Sequence, residues 1–149
     1  MADDLRSARF QFPFLAAGQS QKEMTHNEAL ALLDAAVAPA AQAAGQNTPP
    51  ATPTTGQAWL VGAVPTGLWA GHAQHLAIWT AGGWRFVDMP AGAMVAVGGG
   101  AQRWVRVASG WRAPALLAAP AGGTTVDTQC RTALNNLVSA LVESGIVAV

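Results

Sequence analysis

The chain has few charged residues and no excess of either sign. Charged residues make up 11% of its 149 residues, and eight basic residues balance eight acidic ones. Soluble domains usually contain about 25%. No dense basic stripe is present, so nucleic acid is not an expected partner. Two explanations of the low charge stay open: an alanine-rich composition typical of a GC-rich genome, or a surface covered by other subunits.

Cysteine and long apolar runs are equally scarce. Cys130 is the only cysteine, which excludes a disulfide within the chain. The first ten residues, MADDLRSARF, do not combine a basic start with an apolar run, so no signal peptide is expected. No run of about 18 uninterrupted apolar residues occurs, so no membrane span is predicted. We therefore expect synthesis in the cytoplasm.

The residue patterns of common active sites are also missing. His72 and His75 have no cysteine or acidic partner at ligand spacing, so no metal site is predicted. A G-x-S-x-G motif is absent, and Asp88 is the only acid of the central region, whereas glycoside hydrolysis needs two. Gly98–Gly100 is not followed by the Lys-Ser/Thr pair of a phosphate-binding loop. We predict neither enzymatic activity nor a cofactor.

What the chain does have is six tryptophans within residues 57–113, and no tyrosine. Short apolar segments there alternate with glycine turns, which predicts an antiparallel β meander closed as a small barrel or packed as a sandwich. The predicted strands are Gln57–Val61, His75–Thr80, Trp84–Asp88, Ala93–Val97, Gln102–Val107 and Trp111–Ala113. The hairpin sequence around Gly82-Gly83-Trp84-Arg85 resembles that around Ser109-Gly110-Trp111-Arg112, which indicates a weak internal repeat.

Residues 1–45 are predicted to form an N-terminal arm and a helix. Phe10, Phe12 and Phe14 alternate with other residues, which is typical of an extended arm or edge strand. Thr25-His26-Asn27-Glu28 has the spacing of a capping box, so the helix is expected to start after Thr25. Residues 46–56 are predicted to be a linker.

Residues 114–149 are predicted to be a second linker and a C-terminal helix. The helix should run from about Asp127 to Glu143, with Thr125 or Asp127 as cap, Gly145 at its end and a short strand after it. The overall prediction is an α+β fold. One stripe of the helix has the 4-3-4 spacing of a coiled coil, which predicts an oligomer interface at Cys130, Leu134, Leu137 and Leu141. Packing of this helix on the β unit of its own chain explains the stripe equally well.

The tryptophans allow two roles. They can fill a small β core, or they can stack on sugar rings. Trp69 lies in a glycine-flanked segment that is expected to be a loop, and Trp84 and Trp111 follow glycine turns. These three residues are the candidate carbohydrate contacts, although packing is the favoured role for each.

The run from Phe12 to Ala29 resembles the opening of a family of phage-like structural proteins found in alphaproteobacterial prophages and gene transfer agents. The shared pattern includes Gly18, Gln19, Gln21, Lys22, Thr25, Asn27, Glu28 and Ala29. The segment Gly67–His72 and the Gly-Trp-Arg hairpin also look like that family.

The resemblance implies a virion component that is assembled into a phage-like particle. Such a subunit would be a head-spike base or tail-fibre subunit, and would support attachment to host capsular polysaccharide. The expected partners are further copies of the chain, as a trimer or pentamer, and other particle proteins. The alternative is a carbohydrate-binding module that contacts cell-surface polysaccharide directly.

Overall fold

A computed structural model describes residues 5–18, 20–100, 102–119, 121–122 and 127–148. The predicted cap residue Thr125 lies outside these residues. The α-helices in these residues are α1 (Lys22–Ala36) and α2 (Thr128–Glu143). The strands are β1 (Ala40–Ala41), β2 (Ala44–Gln46), β3 (Ala58–Val61), β4 (Leu76–Thr80), β5 (Gly83–Val87), β6 (Met94–Val97), β7 (Gln102–Val107), β8 (Gly110–Arg112), β9 (Ala115–Leu116) and β10 (Val147–Ala148). The α+β prediction is confirmed.

Two four-stranded sheets with the same organisation form the centre of the fold. Their strand orders are β2-β3-β4-β5 and β1-β6-β7-β8. In each sheet a very short strand runs parallel to the first strand of a three-stranded antiparallel meander. The two hairpins of the predicted internal repeat, β4–β5 and β7–β8, occupy the same place in each sheet.

The sheets share one hydrophobic core and are not closed into a barrel. Leu60 and Leu76 of the first sheet belong to the same buried cluster as Val95 and Val97 of the second. Ala35 of α1 completes that cluster, so α1 covers part of the first sheet. The barrel alternative is wrong because β5 and β8 end their sheets as edge strands among the described residues. The arrangement is that of a small sandwich.

The sequence located the six central strands to within about a residue, but it misplaced the start of α1. The helix begins at Lys22, so Thr25 lies inside it and the predicted capping box is wrong. Gln21 occupies the cap position with a left-handed φ of 67° and makes no side-chain cap hydrogen bond. The physical reason is tertiary: the Glu28 carboxylate, which would have closed the box, accepts a hydrogen bond from Arg85 instead.

The N-terminal arm is a folded loop and not an extended strand. Ser7 N–H donates to Phe12 O at 2.9 Å and Phe14 N–H donates to Leu5 O at 2.7 Å, so the chain reverses between them. The Phe10 and Phe12 rings stack with their centroids 5.8 Å apart. The expectation of an extended arm is therefore corrected to a tight hairpin-like turn.

The two ends of α2 lie where the sequence predicted them. The Asp127 carboxylate accepts the Cys130 N–H at 2.8 Å, which confirms Asp127 as a cap. Gly145 has a φ of 71°, and hydrogen bonds from Gly145 N–H to Val142 O and from Ile146 N–H to Leu141 O end the helix in a Schellman motif. β10 then pairs in parallel with β9.

Candidate functional site

The outer face of the first sheet carries a cluster of four tryptophans. Residues of β3 and β4 alternate between the core shared by the sheets and this second face, where Trp59, Trp79 and Trp84 lie. The loop between β3 and β4 folds back over the face and inserts Trp69. The first sheet is therefore covered on both sides, which explains why β3 is buried along its whole length.

The rings in this tryptophan cluster meet mainly edge to face. Trp84 lies 5.4 Å from Trp59, 5.1 Å from Trp69 and 5.1 Å from Trp79, measured between ring centroids, with interplanar angles of 71°, 85° and 65°. Beside them the His72 ring stacks on Phe86 at 3.6 Å and 3°. Edge-to-face contacts of this kind add stability beyond the area they bury.

Trp69, one of the candidate carbohydrate contacts, has the packing role that the sequence favoured for it. The residue is 0% exposed, so its ring cannot be reached by a sugar. The segment Gly67–Trp69 is a single 3-10 turn that places the ring under the loop and against Trp84. Flanking glycines did mark a turn, but they gave no information on the side to which the ring points.

Trp84 and Trp111 are both half-buried. Trp84 is engaged in the cluster through its three ring contacts. Trp111 donates from Nε1 to Gln74 O at 2.9 Å and packs against the core between the sheets. The Arg106 guanidinium lies 5.9 Å from the centroid of the Trp111 ring. A carbohydrate role for these two residues stays a prediction.

Asp34 of α1 forms the centre of the surface that binds the N-terminal arm, which we call the arm seat. It is 3% exposed, and its carboxylate accepts three hydrogen bonds from the arm. The donors are Ser7 Oγ at 2.6 Å, Phe10 N–H at 2.6 Å and Arg9 N–H at 2.9 Å. A buried carboxylate is stable when donors saturate it in this way. Asp34 thus fixes the turn of the arm on the helix.

Arg9 supplies the end of α1 with the positive charge that the last turn of the helix lacks. Its guanidinium donates to the carbonyl oxygens of Asp34, Ala35, Val37 and Ala38 at 2.8–3.4 Å. The last carbonyls of a helix have no partners within the helix, and a cation there is favourable. The arm and the helix therefore stabilise each other.

Asn27 and Glu28, two residues of the motif between Phe12 and Ala29, have distinct structural roles. The Asn27 side chain accepts the Leu15 N–H at 2.8 Å and donates to Leu15 O at 2.9 Å, which pins the other end of the arm. Glu28 Oε1 lies 2.6 Å from Arg85 Nε and links α1 to β5. Asn27 thus holds a segment twelve residues away, and Glu28 holds a strand fifty-seven residues away.

A cavity of about 710 Å³ lies between the arm, α1 and the β4–β5 hairpin. Apolar residues from all three elements line it, among them Leu5, Phe14, Met24 and Ile78. The Glu28–Arg85 pair lies at its wall. The arm is thus held by specific hydrogen bonds above a space that its apolar side chains do not fill.

The predicted interface stripe on α2 is uncovered. No residue of this helix is buried, Cys130 is exposed, and Leu134 and Leu137 are 43% and 54% exposed. Leu141 is half-buried. The C-terminal end of α2 is fixed to β7 by Arg103, whose Nε donates to Ser144 O and whose N–H donates to Gly145 O. Leu134 and Leu137 are thus covered only in part by the described residues of their own chain.

Metal binding and membrane spanning find no support among the residues that the structure describes. Among the described residues no group of three His, Cys, Asp or Glu side chains could hold a metal ion. The His72 and His75 rings lie 5.4 Å apart without a third ligand. Within the same part of the chain, no helix has the length and apolar character to cross a membrane.

Sequence reasoning missed Asp34 and Arg9 as the residues that organise the arm. A signal was present for Asp34, since it is an acidic residue within the apolar run Leu32–Val37, where an unpaired charge would be costly. Nothing in the sequence indicated its partners, because they lie more than twenty residues away.

Comparison with known proteins gives one match. Residues 26–112 match the model of a family described as "Protein of unknown function (DUF2793)". The matched span is more than half of the chain. The chain belongs to the DUF2793 family. No curated protein and no solved structure gives a match.

The DUF2793 span has clear structural limits. It starts within α1, just before Asn27, and ends with β8, so it contains both four-stranded sheets and the tryptophan cluster. The arm and α2 lie outside it.

Proposed function

We propose that this DUF2793 protein is a non-catalytic assembly subunit that associates with further copies of itself through α2. The observation that carries the proposal is the exposed stripe of Cys130, Leu134 and Leu137 on a helix with no buried residue. Apolar residues at this spacing are stable when a second helix covers them. Equivalent stripes on identical chains satisfy that need by symmetry.

The character of the rest of the chain supports an assembly role. The four tryptophans of the cluster stabilise the first sheet. The chain's few charged residues hold elements together, as Asp34, Arg9, Glu28 and Arg85 do. The low overall charge is consistent with a surface that is partly covered by other subunits.

We place the assembly in a phage-like particle, as the base of a head spike or a subunit of a fibre. The support is the resemblance of the run from Phe12 to Ala29 to structural proteins of such particles. In the structure this run forms the end of the arm, its connection to α1 and the first half of the helix. A spike base would position a partner protein at the host capsule and would itself need stable contacts between copies.

The test is the mass of the protein in solution after charges are placed in the stripe. Leu134→Glu with Leu137→Glu should shift an oligomer to the mass of one chain, 15.2 kDa, because buried carboxylates would oppose association. Sedimentation velocity gives the mass. The matched control is Gln129→Glu with Asn136→Glu, which adds the same charge at exposed positions outside the stripe. A parent chain that sediments as a monomer, or equal effects of the two variants, would reject the proposal.

A further inference from the structure

The connection between the arm and α1 has an unusual backbone. Ser20 and Gln21 both have left-handed conformations, with φ values of 58° and 67°, directly before the first residue of the helix. Residues other than glycine seldom adopt this conformation, and two in succession are rarer. Both residues are exposed.

The contacts that hold the arm do not depend on this connection. The arm binds α1 through Asp34, through the carbonyls at the end of the helix and through Asn27. It also touches the turn before β3 at Gly56, where an added Cβ would lie 2.6 Å from Ala8 Cβ. An identical arm from another chain could make every one of these contacts.

We infer that the seat formed by α1 and Gly56 also accepts the arm of a second copy, so that neighbouring subunits exchange arms. Exchange keeps the seat's hydrogen bonds and releases Ser20 and Gln21 from their left-handed conformations, because the connection then extends. Polar contacts with Asp34, with the carbonyls at the end of α1 and with Asn27 attach the arm above the cavity. This inference extends the proposed self-association, since chains held together at α2 present their arms to each other at high effective concentration.

The reach of the connection is sufficient for exchange between touching subunits. Residues 15–21, when extended, span roughly 20 Å at about 3.3 Å per residue. Identical elements that are joined by a short connection with an unfavourable backbone commonly exchange in this way. The partner is therefore a second copy of this chain, and the surface is the arm seat.

The test uses two full-length chains of different tag mass, co-expressed in a Cys130→Ser background. One chain carries Ala8→Cys in the arm, and the other carries Thr55→Cys beside Gly56. A short bismaleimide should then give a covalent dimer with one chain of each mass, since a single cysteine per chain cannot cross-link within it. In the control pair, Thr55→Cys is replaced by Val64→Cys, an exposed residue of the loop between β3 and β4. No dimer, or equal yields with both pairs, overturns arm exchange.

A second pair of substitutions tests whether the left-handed backbone of Ser20 and Gln21 favours the exchange of arms. Ser20→Gly with Gln21→Gly removes the disfavoured conformations from the closed form, so the yield of cross-linked dimer should fall by roughly fivefold or more. An unchanged yield would show that the backbone of Ser20 and Gln21 does not favour the exchange of arms. In the Leu134→Glu, Leu137→Glu background, a surviving cross-link would support arm exchange even if association through α2 fails.

Discussion

Trp69→Ala is expected to lower the free energy of unfolding by about 3–5 kcal/mol, the cost typical of deleting a buried tryptophan. The ring is fully buried and touches both Trp59 and Trp84, so its removal leaves a void between the loop and the sheet. The loss should be visible in urea unfolding and in near-ultraviolet circular dichroism, which reports the coupling of the indoles.

The matched control for this substitution is Leu68→Ala in the same turn. Leu68 is 73% exposed, so its truncation should change stability by less than about 0.5 kcal/mol. If the two variants lost similar amounts, the Trp69 ring would not be a core residue, and a role at the surface would be reinstated.

Asp34→Ala is expected to destabilise the protein by about 3 kcal/mol and to free the arm. The substitution leaves the Ser7 hydroxyl and the amides of Arg9 and Phe10 without their acceptor, and unsatisfied donors at a buried site are costly. Arg9 would also lose its position on the carbonyls at the end of α1. Trypsin cleavage after Arg6 and Arg9 should therefore become faster, and urea unfolding should begin at lower concentration.

Asp88→Ala is the control for the loss of a carboxylate. Asp88 lies 3.7 Å from Arg106 with a side chain that is 70% exposed, and exposed pairs of this kind contribute little. Its removal should leave both cleavage and stability close to the parent values. Slow cleavage of the arm in the Asp34 variant would mean that other contacts hold it.

The sequence predicted those parts of the fold that are set by local patterns. Glycine turns between apolar segments located the six central strands, because the geometry of a hairpin is decided within a few residues. Asp127 and Gly145 located α2, because cap chemistry is also local. The short strands β1, β2 and β9 were missed, since each is two or three residues long and exists only through its partner.

Two failures of prediction, the capping box and the arm seat, involve contacts between distant residues. The capping box at Thr25 failed because Arg85, fifty-seven residues away, takes the Glu28 carboxylate. The position of Trp69 beneath the loop could not be predicted in detail, because the fold-back over the sheet has no local signature. The arm seat was also missed, because Asp34 accepts its hydrogen bonds from arm residues more than twenty positions away.

Cross-linking of the unmodified chain through Cys130 tests the central claim most directly. Cys130 is the only cysteine and lies on the exposed stripe of α2. In a symmetric oligomer with parallel α2 helices, the thiols of neighbouring copies face each other, so a short bismaleimide should join chains in pairs at low protein concentration. A chain in which the cysteine is moved to the exposed position 136, by Cys130→Ser and Asn136→Cys, should be joined much less. If Cys130 gives no covalent dimer, or no more than the cysteine at position 136, the stripe does not pair copies of this chain and the proposed assembly is contradicted.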